Sequence, residues 1–366
     1  MAADHISKPY LPLMLRLKLC MGNFFIRFAF RYDGTINRRL FDLLDRKVEP
    51  NSTVVIDNIH VSSSDITLDP SRNLWFRLFV PRTTNNGGDG GGSALPLIIY
   101  YHGGGFSFCG PDSKPCDDFC RRLAAKTPAV IASVNYRLAP EYRYPCQYED
   151  GFDTLRLINA QNYKILPSNV DLNKCFLAGD SAGGNIAHHV AVRACQKSQE
   201  LDKLVIVGLV AVQPFFGGEE RTQSELRLTK APVLNVEGTD RLWTMFLPEG
   251  ADRNHHAVNV EANFESIDMK NVKFPSTLVI VGGFDPLQDW QTRYAQGLKK
   301  RGKQVELIKY PNAFHSFYGF PELPEFPLFI KDVRNFIQKQ STLVVDKNTQ
   351  LNQNAQESTL TEQFVG

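Results

Sequence analysis

The chain has 366 residues, of which 43% are hydrophobic, with a formal net charge of +2 and a pI of about 8.1. That length allows one large α/β domain or two ordinary ones, with a core that needs no disulfides. The balanced charge excludes the basic face that nucleic-acid binding needs. Seven cysteines, an odd number at scattered positions without Cys-x-x-Cys spacing, point to a reducing compartment, cytoplasmic or nuclear, rather than secretion.

Residues 11–30 are rich in Leu, Met and Phe and could pass for a signal sequence. Arg16, Lys18, Arg27 and Arg31 interrupt them, so no run approaches the ~18 apolar residues of a membrane span. No small-residue cleavage site follows. An amphipathic helical segment that packs on the body is expected, with residues 1–45 acting as a cap or lid. Residues 74–80, 97–101, 130–135, 175–178, 207–212, 277–281 and 305–310 read as strands. Each is short and rich in Val, Ile and Leu, as strands buried on both faces of a parallel sheet are. Helical patterns at 117–126, 148–160, 182–195, 287–301 and 325–339 alternate with them. The order implies an α/β fold with a mostly parallel sheet and helices on both faces, over residues 46–340. Residues 85–93 (NNGGDGGGS) read as a flexible loop, residues 214–271 as an insert, and residues 341–366 as a disordered polar tail.

In such sheets function sits at the carboxyl ends of the strands. Gly179-Asp180-Ser181-Ala182-Gly183 follows an apolar strand and opens a helix, the setting of a nucleophile elbow. The alternative is a plain strand-to-helix turn with Ser181 as N-cap. His102-Gly103-Gly104-Gly105-Phe106 directly follows the strand at 97–101. A strand ending in His-Gly-Gly-Gly suits an oxyanion hole, because glycines let main-chain amides approach a developing charge. Gly103, Gly104 and Ala182 are the expected donors, with His102, Gly105 and Asp180 in support and His102 orienting the loop. A glycine-rich turn without function is the bland reading.

The acid and the base should each follow a late strand, in the chain order Ser, Asp, His. Asp285 follows the strand at 277–281, and His315 follows the strand at 305–310. Asp285 could be only a helix cap, since Asp-Pro is a good helix start. Asp289 competes for its role but lies a turn into the helix. Among the eight histidines, His188 and His189 lie on the elbow helix and His255 and His256 in the insert; only His315 follows a late strand, with an ordinary loop histidine as the alternative. The expected chemistry is acyl transfer through an acyl-enzyme on Ser181, with no cofactor and no metal.

Five motifs, HGGGF, NYRLAPE (residues 135–141), GDSAGGN, GFDPLQD and NAFHSF, together resemble the plant class-I carboxylesterases. These form part of the hormone-sensitive-lipase-like branch of the α/β hydrolases, and the resemblance covers roughly residues 32–340. It implies an eight-stranded core, a cap built partly from the N-terminal segment, and a small-molecule ester as the partner. Related gibberellin receptors keep the fold but lack the catalytic histidine, whereas His315 is present here. A ligand receptor with little turnover is the rival reading. Aromatics of the N-terminal segment (Phe24, Phe25, Phe28, Phe30) and of the insert could roof the site. Phe106, Phe215, Phe216, Trp243 and Phe246 are candidates for an apolar pocket favouring small to medium esters; packing of cap on body is the alternative. No feature specifies an oligomeric state.

Overall fold

A computed structural model describes residues 9, 11–31, 34–83 and 94–363, and of residues 23–27, 83 and 345–363 the backbone alone. The loop expected at residues 85–93 lies outside the described residues, as do the side chains of Phe24 and Phe25.

Each apolar run becomes a strand of one sheet. Strands β1 (Thr53–Ile56), β2 (Ile59–Asp69), β3 (Leu74–Thr83), β4 (Leu95–Tyr101), β5 (Val130–Asn135), β6 (Val170–Asp180), β7 (Ile206–Val212), β8 (Ser276–Phe284) and β9 (Val305–Phe314) form a nine-stranded sheet. Its order is β1-β2-β3-β5-β4-β6-β7-β8-β9. From β5 to β9 all pairings are parallel, while β1, β2, β3 and β5 pair antiparallel.

Nine strands replace the expected eight, and β1 and β2 were not anticipated. The reason lies in β2, whose middle reads Ser62-Ser63-Ser64-Asp65. Its polar groups serve buried arginines: Arg77 Nε donates to Asp65 at 2.6 Å, and Arg121 Nη2 to Ser63 Oγ at 2.7 Å. A strand that answers internal charge carries no apolar run to recognise.

Helices α1 (Leu13–Ala29) and α2 (Arg38–Leu44) precede the sheet. On one face of the sheet lie α3 (Lys114–Lys126) and α9 (Glu325–Gln363), around Phe119, Phe176, Phe329 and Val333. The other face carries α4 (Cys146–Gln161), α5 (Ala182–Gln196) and α8 (Gln288–Lys300), around Phe152, Ile186, Leu177 and Tyr294. The insert between β7 and β8 holds two short helices. Among the described residues these are α6 (Gln223–Arg227), closed by a capping box from Thr222 and Glu225, and α7 (Val236–Phe246).

Residues 341–363, expected to be disordered, continue α9 as helical backbone. After Pro327 the sequence has no Gly or Pro to stop a helix as far as Gln363. The core-facing stripe ends earlier, with Phe329, Ile330, Val333, Phe336 and Ile337.

Parallel pairing brings the carboxyl ends of β4, β6, β7, β8 and β9 to one edge. The register sets Tyr101 beside Gly179 and Asp180 beside Val212. The residues that follow these strands, His102, Ser181, Gln213, Asp285 and His315, therefore converge.

Candidate active site

Ser181 joins β6 to α5 at φ 51 and ψ −118. That conformation costs a non-glycine residue about 1–3 kcal/mol and persists only where its surroundings impose it. Ser181 N–H donates to Val212 O at 2.9 Å, and Phe215 N–H donates to Ser181 O at 2.8 Å. A Cβ on Gly179 would overlap the carbonyl of Gly183, and one on Gly183 would overlap that of Tyr101. Glycine at both positions thus lets α5 press against the sheet and lifts the serine above it. Ser181 occupies the N-cap position, but its hydroxyl caps nothing.

The hydroxyl instead lies 3.0 Å from His315 Nε2. His315 Nδ1 lies 2.8 Å from Asp285 Oδ2. The carboxylate can only accept, so the ring proton belongs on Nδ1 and the Nε2 lone pair faces Ser181. Asp285 is fully buried, and its oxygens also accept from Leu287 N–H and Gln291 Nε2, both at 2.9 Å. It therefore braces the entry to α8 as well as holding the imidazole; the two readings of Asp285 coexist. Asp289 turns away and accepts from Ser224 N–H at 2.8 Å, anchoring α6.

The glycine loop after β4 is held by Asp180. Its Oδ1 accepts from Gly103 N–H at 2.8 Å and from the Tyr100 hydroxyl, and its Oδ2 accepts from Tyr318 at 2.6 Å. Burial raises the Asp180 carboxyl above its ordinary range, against the hydrogen bonds from Tyr100, Tyr318 and Gly103. Burial also lifts both phenols well above theirs, so they remain donors.

This corrects the expectation for Gly103, whose amide is already engaged. Gly104, at φ 106, and Gly105, at φ 60, adopt left-handed backbone that glycine alone enters freely. Among the described residues no acceptor is recorded for the amides of Gly104, Gly105 or Ala182.

His102 is buried, its Nδ1 lies 2.8 Å from Gly103 O, and its ring stacks on Tyr136 at 4.3 Å. Burial pushes the imidazole down to about 4, which leaves it a neutral brace and not a base. Tyr136 belongs to the NYRLAPE stretch and donates to His102 O at 2.7 Å, while Ala139 N–H donates to Phe106 O at 2.9 Å. That motif is a buttress for the glycine loop.

The N-terminal segment locks the same loop from outside. Arg38 donates to Ser107 O, to Ala139 O at 2.6 Å and to Glu141 at 2.9 Å. Phe30 and Phe41 pack on Phe108, with ring centroids 5.4 and 4.9 Å away.

Of the pocket candidates, Phe106, Phe215, Trp243 and Phe246 form one buried stack. Phe106 lies 3.8 Å from Phe246, and Phe215 lies 4.0 Å from Trp243. Phe216 turns aside to Tyr294, at 4.6 Å. All five rings are buried, and the four of the stack face one another, so they join the insert to the body. A Cβ on Gly105 would stand 2.5 Å from Leu242 Cδ1. Leu242 of α7 is thus the insert's side chain against the glycine loop.

Two further residues were not anticipated. Gln213 is fully buried; its Oε1 accepts from Ser316 N–H at 2.8 Å and its Nε2 donates to Phe314 O at 3.2 Å. It grips the chain on both sides of His315. Asn185 donates to Phe215 O at 2.9 Å and to Ala257 O at 2.7 Å, tying the elbow helix to the insert. The signal for Gln213 was its place directly after a parallel strand, the criterion that found Asp285 and His315.

A buried serine, imidazole and carboxylate in sequence, beside unengaged amides, is an arrangement for acyl transfer. Among the described residues no cluster of His, Cys, Asp and Glu could hold a metal ion.

The chain belongs to the α/β hydrolases: the family model described as the alpha/beta hydrolase fold matches residues 98–319. Within that superfamily it falls in the hormone-sensitive-lipase-like branch, among plant carboxylesterases and gibberellin receptors. A gibberellin receptor of Arabidopsis thaliana is 38% identical over 318 residues, covering 85% of this chain and 89% of the receptor. Carboxylesterase 20 of the same plant is 35% identical over 285 residues, 77% of this chain and 86% of that protein. Among solved structures, a hyperthermophilic esterase from the archaeon Pyrobaculum calidifontis superposes with a TM-score of 0.69 at 26% identity, covering 91% of this chain and 99% of that one.

Proposed function

We propose that the protein is a serine carboxylesterase. The observation that carries this reading is the hydrogen-bonded chain from Ser181 through His315 to Asp285. His315 Nε2 takes the Ser181 proton as Oγ attacks the ester carbonyl. The oxyanion settles on the amides of Gly104, Gly105 and Ala182. The alcohol leaves with the proton from His315, and water then releases the acid from Ser181. Asp285 fixes the tautomer and stabilises the imidazolium throughout. Gln213 positions His315 through the backbone on either side of it.

The described part of residues 1–45, with residues 214–271, forms the cap, and its contact with the glycine loop through Leu242 supports small to medium apolar esters as substrates. Seven free thiols suit a reducing compartment, cytoplasmic or nuclear.

Hydrolysis of p-nitrophenyl butyrate tests the assignment. Ser181→Ala should lower kcat by about 10⁴-fold or more, with KM little changed and the fold intact. The likeness to gibberellin receptors favours one other reading, a small-ligand receptor with little turnover. Folded wild-type protein inactive on a panel of acyl esters, yet binding a small apolar acid, would establish that reading and remove the esterase.

A further inference from the structure

Helix α1 has two apolar sides. Leu15 is 1% exposed and lies in the core cluster with Phe317 and Leu323, with Leu11 and Leu19 packed against it. Leu13, Met14, Leu17 and Met21 are 72%, 67%, 51% and 58% exposed. At about 100° per residue these four fall within roughly 100° of arc, and Leu15 lies on the far side. A body-docking helix needs only the first stripe. The second is a contiguous apolar strip of large side chains facing outward, the kind of surface that marks an interaction site.

The charges select the occupant. On the same wheel Arg16 borders one edge of the exposed strip and Lys18 the other. Both are exposed, and none of the 17 residues of α1 is acidic. Among the described residues the carboxylate beside them is Glu322, 3.4 Å from Lys18 with both groups well exposed, where solvent and salt weaken the pair. Leu and Met flanked on both edges by cations form the interfacial pattern that lies flat at a bilayer surface, its apolar side chains among the acyl chains and its cations on phosphate. No described helix is long and apolar enough to cross a membrane. We infer that the outer face of α1 docks the protein on a membrane surface carrying anionic lipid headgroups.

Flotation of the full chain with vesicles tests this. The two preparations are phosphatidylcholine alone and phosphatidylcholine with phosphatidylserine. The protein should float with the anionic vesicles, and salt should release part of it. Leu17→Glu with Met21→Glu should weaken binding about tenfold or more. Arg16→Gln and Lys18→Gln should each weaken it about fivefold, on anionic vesicles only. All four side chains are exposed on the outer side of α1 and among the described residues none touches a residue of the site, so hydrolysis of a soluble ester by these variants should match wild type and certify their fold. Absence of binding to either vesicle, equal binding to both, or full binding by the Leu17/Met21 variant overturns the proposal; the first outcome would leave the strip to a protein partner.

Discussion

At the elbow a Cβ on Gly183 would overlap a main-chain carbonyl, whereas in α1 a Cβ on Gly22 would meet nothing within 4 Å among the described residues. The difference extends to what holds each region. Ser181 is fixed by bonds from its own backbone to Val212 and Phe215, and the glycine loop by a buried carboxylate. Beyond the backbone bonds at Phe215 and Phe246, the cap is held by side chains: Arg38 on the NYRLAPE turn, rings on Phe108, and the aromatic stack of the insert. A backbone-determined site tolerates no displacement, while a cap held by side chains can change its packing without moving the nucleophile. Chemistry should therefore fail through substitutions at the sheet edge, and substrate choice should move through substitutions in the part of the cap that faces the glycine loop.

The largest contrast is between the two glycines. Gly183→Ala must push α5 from the end of β4, and a shift of about 1 Å in a nucleophile costs on the order of 100-fold. Its kcat/KM on p-nitrophenyl butyrate should fall by at least that factor, with a lower melting temperature. Gly22→Ala should leave activity unchanged and stabilise α1 by up to about 1 kcal/mol. Full activity in Gly183→Ala would erase the distinction between the regions.

Gln213 sharpens the contrast within the sheet edge, because it touches His315 only through backbone. Gln213→Leu leaves Ser316 N–H and Phe314 O without their buried partner. It should lower kcat by about 10- to 100-fold with KM unchanged, and reduce stability by about 1–3 kcal/mol. Gln213→Glu keeps the acceptor for Ser316 but sets a second oxygen against Phe314 O, so that oxygen needs a proton. Its activity should deteriorate as pH rises and the carboxyl ionises, a profile that mere loss of packing would not produce. Parallel pH profiles for Gln213→Glu and wild type would reduce Gln213 to a core residue.

The parallel half of the sheet was legible because β4, β7 and β8 are buried runs, and Ser181, Asp285 and His315 could be found because each directly follows a parallel strand. The three meet in one hydrogen-bonded line. Gln213 obeys the same positional rule but carries no acid–base chemistry, so residue type hid it. Gly103 was misassigned because a motif gives the order of amides and not the acceptor each one already has; Asp180 decides that through a contact 77 residues away in sequence. Strand β2 and helices α6 and α7 escaped because their apolar residues are few or are organised by tertiary partners, such as Glu225, which accepts from Trp290 Nε1 at 3.0 Å.

Acid should weaken the body through its buried imidazoles and also reach the insert, where burial lowers His255 and His256. Burial pushes His102 down to about 4 and His188 to about 3, and it lowers His189 as well. Unfolded, these side chains titrate near about 6.5. Between about 6.5 and 4 the unfolded chain therefore binds more protons than the native one, and stability falls as pH falls. Each buried imidazole contributes up to about 1.4 kcal/mol per pH unit in that window. Asp180, raised by burial, acts in the opposite sense as one carboxyl. Urea unfolding at a series of pH values should show a net loss on acidification, and replacing His188 by Leu should flatten the slope. An unchanged slope would mean that His188 is solvated in the native state.

The smallest effect belongs to the cap and concerns selection, not rate. Leu242 reaches the glycine loop from α7, with its methyls where a Cβ on Gly105 would stand. Leu242→Ala removes that bulk beside the amides assigned to the oxyanion and leaves their backbone untouched. The ratio of kcat/KM for a hexanoate over a butyrate ester should rise about tenfold, the low end of what one methylene commands in an apolar pocket. A residue that served only to hold the glycine loop would instead lower both esters in proportion when truncated. A proportional fall would move Leu242 from the side of selection to the side of catalysis, and the boundary between cap and sheet edge would have to be redrawn at α7.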